Sequence, residues 1–389
     1  MKQFFYVPLE TLKARYTAQL GSEWIPAAFN AVNGVQSDSD AYQFVPVDPP
    51  EVSDEIHSGS VLDGVNRGKV SLMQMHSLLY CIEVGVLNDG DVIYLQDFWT
   101  PGLEAVMYAL HQRNIKVRIY AMCHAQSVDE YDFTYPMRSW MRPVEIAYSH
   151  MLAGLFVAST IHRDQLRAAG YACPIHVVGL PIHAESVINL IPQDVEREQQ
   201  VIFSSRLNNE KNPYFMLEVA DRFLARNLDW KWVCTTSARG FVSEVPGFEA
   251  AFFEMASTQH RFKIYAGLTK EQYYRELRQS QVQFNCSLQD YVSWTLLEAT
   301  AAGCDVCYPN WRSFPECVPA ASLYTPFQVH SALDTLQRVI EGDAYSQHAL
   351  QICNNGLHIE MAIMLNNWQG PEVNIWHQPD AYFRGVGLL

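Results

Sequence analysis

The chain has 389 residues, long enough for two domains with separate cores. Hydrophobic residues make up 49% and charged residues 18%, an ordinary globular composition in which no run approaches the roughly 18 apolar residues of a membrane span. The net charge of −15 is shared between the halves, which weighs against a partner held mainly through phosphate neutralisation.

Nine scattered cysteines read as reduced thiols rather than a disulfide framework. Met1 to Glu10 meets Pro8 and Glu10 too early for a signal peptide, so a cytoplasmic protein is expected. Strand-like pieces at Phe4–Val7 and Tyr42–Val47 flank a helical stretch from Leu9 to Leu20. Residues 48–70, rich in Pro, Asp, Ser and Gly, read as a long loop or flap.

Strand and helix then alternate. Met73–Val84 reads as helix, Val92–Gln96 as strand, Leu103–Gln112 as helix and Val117–Met122 as strand. Met137–Met151 and His162–Ala169 follow as helices, with strands at Gly154–Ala158 and Ile175–Val178. Residues 179–200 are polar and proline-containing and read as a linker. A second alternation begins with a strand at Gln200–Ser204 and a helix at Pro213–Arg226, with proline in its first turn. Strands at Trp230–Thr235, Phe262–Tyr265, Val282–Cys286 and Cys304–Tyr308 interleave with helices at Phe248–Ala256, Lys270–Ser280 and Ser293–Ala302. Residues 331–341 and 344–365 read as terminal helices, and the tail holds Trp368, Trp376 and Phe383. This order predicts an α/β protein of two doubly wound, Rossmann-like domains facing across a cleft.

Two stretches carry chemistry. In Asp290-Tyr-Val-Ser-Trp-Thr-Leu-Leu-Glu298-Ala-Thr-Ala-Ala-Gly303, Ser293 is placed as an N-cap and Gly303 as a helix terminator. Asp290 at the strand end and Glu298 in the helix then face the crevice where open α/β sheets bind ligands, unless they are simply two solvated acids on a capped helix. In Phe203-Ser-Ser-Arg206-Leu-Asn-Asn-Glu210-Lys211-Asn-Pro213, Arg206 and Lys211 flank a turn entering a helix. Two cations beside a helix N-terminus make a diphosphate cradle, the alternative being a solvated loop.

Arg206-Leu207, Glu210-Lys211, Glu298-Ala299, Ala302-Gly303 and Pro315-Glu316 stand in this order at the right spacing over residues 200–320. Together they resemble the retaining GT-B glycosyltransferases of the glycogen-synthase and sucrose-synthase type; the resemblance is weaker over the first domain. It implies an acceptor-side domain over 1–185 and a nucleotide-sugar domain over 186–350. The helix and tail of 351–389 would pack back towards the first domain. The implied reaction moves a sugar from a nucleoside-diphosphate sugar, UDP-sugar favoured, to an acceptor hydroxyl with retention, and it requires no cofactor.

The same resemblance implies the roles. Arg206 and Lys211 neutralise the diphosphate of the departing nucleotide. Glu298 holds the ribose hydroxyls and Asp290 the donor sugar. Tyr265, Gly267 and Leu268 hold the base through backbone groups, and Tyr291, Val292, Ser293 and Trp294 bring amides near phosphate and sugar. In the first domain His124 would touch the donor sugar, against the alternative of a structural histidine. Asp97 would orient the acceptor hydroxyl or simply cap a turn.

The departures are specific. Asp290 replaces a glutamate, Ser204-Ser205 a glycine, and Trp311-Arg-Ser-Phe a small-residue run, and the N-terminal Gly-rich loop is missing. Asp38-Ser-Asp40 in a loop and Asp89-Gly-Asp91 in a turn are poor metal motifs, so no metal is expected. Cys304 and Cys307 form a CxxC inside an apolar strand and read as core. Asp97–Glu104 and Cys123–Phe133 look like phage glycosyltransferases, some of which modify hydroxymethylated pyrimidines in DNA. Double-stranded DNA carrying such a base is therefore the lead acceptor, with Arg67, Lys69, Arg113, Lys116, Arg118, Arg138 and Arg142 lining a groove. A saccharide or small-molecule acceptor, a nucleotide-sugar epimerase and a non-catalytic nucleotide-sugar binder are the alternatives.

Overall fold

The structure, a computed structural model, describes residues 1–9, 19–37, 40–48, 64–124, 126–236, 240–342 and 346–377. The chain divides into two compact units, Met1–Ile182 with Ile352–Leu389, and His183–Gln351.

The first unit is built on six parallel strands: β1 (Lys2–Val7), β2 (Tyr42–Pro46), β3 (Val92–Leu95), β4 (Arg118–Cys123), β5 (Gly154–Val157) and β6 (Ile175–Val177). Their order is β2-β1-β3-β4-β5-β6. Each strand sends alternate side chains to opposite faces. One face carries a run of rings, with Tyr6 and Tyr94 centroids 5.9 Å apart and Tyr120 and Phe156 5.8 Å apart. The other face buries Phe5, Val7, Ile93, Leu95, Ile119 and Val157 under helices. Phe29 of α1 (Ile25–Asn33) packs on the ring face against Phe4 and Phe44, whereas α2 (Gly64–Glu83), α3 (Leu103–Gln112), α4 (Arg138–Ser149) and α5 (Thr160–Ala168) contribute to the other core.

The second unit opens with α6 (Ala184–Leu190). Its strands β7 (Glu198–Ser204), β8 (Lys231–Thr236), β9 (Phe262–Ala266), β10 (Ser280–Phe284), β11 (Asp305–Pro309) and β12 (Leu323–Tyr324) form a second parallel sheet. The order is β12-β11-β10-β7-β8-β9. The connecting helices are α7 (Pro213–Arg226), α8 (Phe248–Thr258), α9 (Lys270–Gln279), α10 (Trp294–Ala301), α11 (Phe314–Cys317) and α12 (Val329–Glu341). The core under this sheet centres on Phe203, Phe223, Trp232 and Phe284.

The last helix, α13 (His348–Leu365), is largely buried, above all over its apolar end, residues 361–365. At Gly356 it comes so close to the first unit's backbone that an added Cβ would lie 1.8 Å from the Val178 carbonyl oxygen. Glu360, fully buried, accepts a hydrogen bond from the Tyr94 hydroxyl of β3. Residues 373–375 run beside β6, with the Val177 amide donating to the Val373 carbonyl at 2.8 Å.

Several sequence expectations change. The loop expected over 48–70 and the helix from Met73 become α2 from Gly64 onwards, with 49–63 outside the described residues. Buried polar residues Arg67, Ser71 and Gln74 lie on the inner face of α2 and blur its apolar period. The expected helix from Leu9 to Leu20 lies mostly outside the described residues, as does Phe383. The expected linker contains α6, whose N-cap His183 accepts the Ser186 amide at 3.3 Å on Nδ1.

Candidate functional site

The second sheet reverses direction of winding at β7: the chain leaves β7 for β8 on one side, while β10 pairs it on the other. Loops leaving the carboxyl ends of β7 and β10 therefore diverge and leave a crevice, the usual ligand position in such sheets. Arg206 and Lys211 stand on the first loop and Asp290 on the second.

The two loops are tied together. The Leu288 amide donates to the Glu210 carbonyl at 2.8 Å, and the Cys286 thiol approaches the Lys211 carbonyl at 3.2 Å. Across this seam the buried Lys211 ammonium donates to Asp290 Oδ1 at 2.7 Å and to Ser287 Oγ at 3.1 Å. Lys211 ends a one-turn 3-10 segment, and Asn212 behind it is left-handed (φ 49°), which starts α7 at Pro213. Arg206 pairs with Glu210 at 2.9 Å and stays partly exposed, so its fork keeps donors towards solvent. Sequence reasoning named Glu210 only as part of a motif; its four-residue spacing from Arg206 is the signal for this pair.

The Asp290 carbonyl accepts from Ser313 Oγ at 3.3 Å, and Trp311 Nε1 donates to the Leu288 carbonyl at 3.1 Å. The departing Trp311-Arg-Ser-Phe segment thus props the Asp290 loop, and Arg312 within it has φ 49°. Tyr291, Val292 and Ser293 are buried where this loop enters α10. Ser293 occupies the N-cap position, but its side chain makes no capping bond; its Oγ instead contacts Thr295 Oγ1 at 2.8 Å.

Glu298, one turn into α10, is buried, and its Oε1 receives the Lys270 ammonium at 2.5 Å and the Tyr274 hydroxyl at 3.1 Å. Burial first, and the Glu298 charge second, push the Tyr274 hydroxyl well above its ordinary pKa. Lys270 and Tyr274 were not named from the sequence. The far end of α10 is held by Arg197, just before β7, which donates to the carbonyls of Ser280, Ala302 (2.9 Å) and Gly303. Gly303 follows α10 with φ +80°. Tyr265, Gly267 and Leu268 end β9 and the turn after it; Tyr265 is exposed, and the Gly267 amide donates to the Thr236 carbonyl at 3.2 Å.

In the first unit, Asp97 and His124 follow the adjacent strands β3 and β4. His124 Nε2 lies 2.9 Å from the Gln96 carbonyl. Asp97 Oδ1 accepts the Trp99 amide at 3.3 Å, the turn-capping geometry. Gln96 between them is buried, taking the Tyr6 hydroxyl at 2.5 Å and the Leu9 amide at 2.8 Å.

Three of the five arginines expected to line a basic groove have internal partners, while Arg113 and Arg138 are exposed. Arg67 is buried and donates to the Leu9 carbonyl at 2.7 Å. Arg118 donates to the Met364 carbonyl at 2.8 Å and to the Tyr42 hydroxyl at 2.5 Å, and Arg142 donates to the Ser127 carbonyl. Asp89 and Asp91 accept backbone amides of Lys116, Gln3 and Asn88, and Asp38 lies outside the described residues. Cys304 and Cys307 are free and buried. Among the described residues no group of three His, Cys, Asp or Glu is placed to hold a metal, and no helix is long and apolar enough to cross a membrane.

Two parallel six-stranded doubly wound units define the GT-B fold, and solved structures agree. A trehalose-6-phosphate synthase from Burkholderia multivorans matches 100% of this chain and 99% of its own with a TM-score of 0.61 at 11% identity. A protein described as a UDP-N-acetylglucosamine 2-epimerase from Listeria monocytogenes matches 96% of this chain and 99% of its own with a TM-score of 0.59 at 12% identity. TarM of S. aureus, solved with alpha-GlcNAc-glycerol and UDP, matches 76% of this chain and 59% of its own with a TM-score of 0.55 at 14% identity. No protein-family model and no curated protein matches the sequence.

Proposed function

We propose that the protein is a retaining glycosyltransferase that takes a nucleoside-diphosphate sugar, UDP-sugar favoured, and moves its sugar to an acceptor hydroxyl. The observation that carries this reading is the pairing of Lys211 with Asp290 across the diverging β7 and β10 loops, beside Arg206. An incoming diphosphate competes with Asp290 for the Lys211 ammonium and recruits the open donors of Arg206. Both cations then stabilise the charge that develops on the leaving nucleotide. Asp290, released from Lys211, accepts hydroxyls of the donor sugar. Glu298 takes the ribose, Tyr265 to Leu268 take the base, and the backbone of Tyr291 to Trp294 lines phosphate and sugar. His124 touches the donor sugar as positive charge develops on it, and Asp97 orients the acceptor hydroxyl. TarM, solved with UDP, supports the choice of base.

The acceptor in this reading is a saccharide or other small-molecule hydroxyl rather than DNA, because Arg67, Arg118 and Arg142 already serve internal carbonyls. The fold shared with an epimerase supports one second reading, epimerisation of the bound sugar nucleotide. One experiment tests these together. The protein is incubated with UDP-, GDP- and ADP-sugars against simple glycans and hydroxymethylcytosine DNA, and nucleotide release, product mass and anomeric configuration are followed. Retained sugar on a glycan with free nucleotide is expected. An intact, epimerised donor supports the second reading, and glycosylated DNA overturns the acceptor assignment. No turnover of any donor overturns the function.

A further inference from the structure

Lys270 occupies an electrostatically poor position. It is the first residue of α9, where the helix dipole presents positive charge and disfavours a cation. The local sequence fixes it there nonetheless: Thr269 caps the helix through a reciprocal capping box, accepting the Gln272 amide at 3.2 Å while its own amide donates to Gln272 Oε1 at 2.9 Å. From that anchored turn the Lys270 side chain crosses to α10 and meets Glu298 at 2.5 Å. On the way its ammonium lies 4.8 Å from the Tyr274 ring centroid and 5.8 Å from that of Tyr273.

Both donors, Lys270 Nζ and Tyr274 Oη, converge on Oε1 of Glu298. Tyr273, whose hydroxyl is pushed up by burial first and the Glu298 charge second, packs against the same carboxylate. An ionised carboxylate offers about four acceptor positions, so the two bonds on Oε1 leave capacity for a ligand. The Glu298 side chain is only 11% exposed, so water screens its attraction to a neighbouring cation only weakly. Lys270 supplies that cation at Oε1 and fixes the plane of the carboxylate.

From this arrangement we infer that Lys270 is a positioning residue that holds Glu298 oriented to receive the vicinal hydroxyls of a ribose, and so sets the preference for ribo- over 2′-deoxyribonucleotides. The inference rests on the nucleotide-sugar reading above and adds to it a residue and a selectivity. A site built to bond a hydroxyl rejects the analogue that lacks it, because its acceptor is then left unpaired. Without Lys270 the acceptor loses its fixed orientation, and that rejection fades.

The test is calorimetric titration of the full-length protein with UDP and 2′-deoxy-UDP, with GDP and ADP pairs alongside. Lys270→Met keeps the aliphatic stem against the tyrosine rings and removes the charge; Lys270→Arg restores the charge. In Lys270→Met, UDP binding should weaken about tenfold while 2′-deoxy-UDP changes less than about twofold. Lys270→Arg should recover most of the wild-type ratio. Thermal melts of all three proteins separate folding from binding. An equal loss for both nucleotides, or an unchanged ratio, overturns the role of Lys270 while leaving the proposed function standing. Wild-type protein that binds none of the nucleotides overturns both.

Discussion

At the carboxyl edge of the second sheet, charged side chains pair across different elements, Lys211 with Asp290 between loops and Lys270 with Glu298 between helices. At the carboxyl edge of the first sheet the candidate residues turn onto nearby backbone instead, His124 to the Gln96 carbonyl and Asp97 to the Trp99 amide. The contrast separates two uses of polar groups. A partly buried ion pair between loops gains little net stability, because desolvation offsets most of its attraction. Such pairs are better explained by what they do when a charged ligand arrives. A side chain that caps its own turn shapes the chain and leaves less chemistry to assign. The edge of the second sheet is therefore defined by charge and that of the first by the form of its turns.

The largest effect that tests this contrast is at Lys211. Lys211→Ala should cost about 2–4 kcal/mol of transition-state stabilisation, read as a drop in kcat/KM for nucleotide release. Wild-type turnover in that variant would remove the donor side of the comparison.

Next comes Glu360, the buried acid under the first sheet, whose carboxyl is pushed by burial from 4.5 up to about 8 despite the Tyr94 hydrogen bond. Tyr94 and Tyr6 are the titratable groups that face it, and its charge helps hold both hydroxyls above their ordinary range. Because the folded value lies above the ordinary one, the folded state keeps its proton to higher pH. Stability should fall as pH rises from about 5 to about 8 and level off above that. Glu360→Gln should flatten this dependence, matching wild type near pH 5 and melting higher near pH 9, by a few kcal/mol at most.

Gly356→Ala should lower the melting temperature through a forced shift against Val178, at a cost of about 1–3 kcal/mol, while leaving nucleotide affinity intact. The smallest effect is expected at His124. His124→Ala should reduce transfer by about tenfold, roughly 1.4 kcal/mol, with donor affinity unchanged in a titration. A loss of donor affinity there would show that the two edges are less distinct than their hydrogen bonds suggest.

Much of this was readable in the chain. Leu103–Gln112 and Pro213–Arg226 form helices with the ends expected from their apolar spacing and, in the second, from Pro213. Parallel strands such as Val92–Leu95 are buried on both faces and so read as continuous apolar runs. The start of α2 was hidden because Arg67, Ser71 and Gln74 fill core-facing positions with polar groups, Arg67 bonding the Leu9 carbonyl and Gln74 those of Pro8 and Val47. The loops bearing Arg206, Lys211 and Asp290 were visible as turn chemistry between strands and helices. Their pairing was not, since 79 residues separate Lys211 from Asp290. Lys270 left a fainter trace, a lysine placed against a helix dipole directly after a capping threonine.

The grip of Arg197 on the end of α10 has a consequence for how such chains can diverge. A Cβ at position 303 would fall 2.6 Å from Arg197 Nη2, where the guanidinium already serves the Gly303 and Ala302 carbonyls. Arginine at 197 and glycine at 303 are therefore a linked pair of choices. Any descendant that places a larger residue at 303 must also give up or redirect the arginine, so the two positions should change together even though 106 residues lie between them.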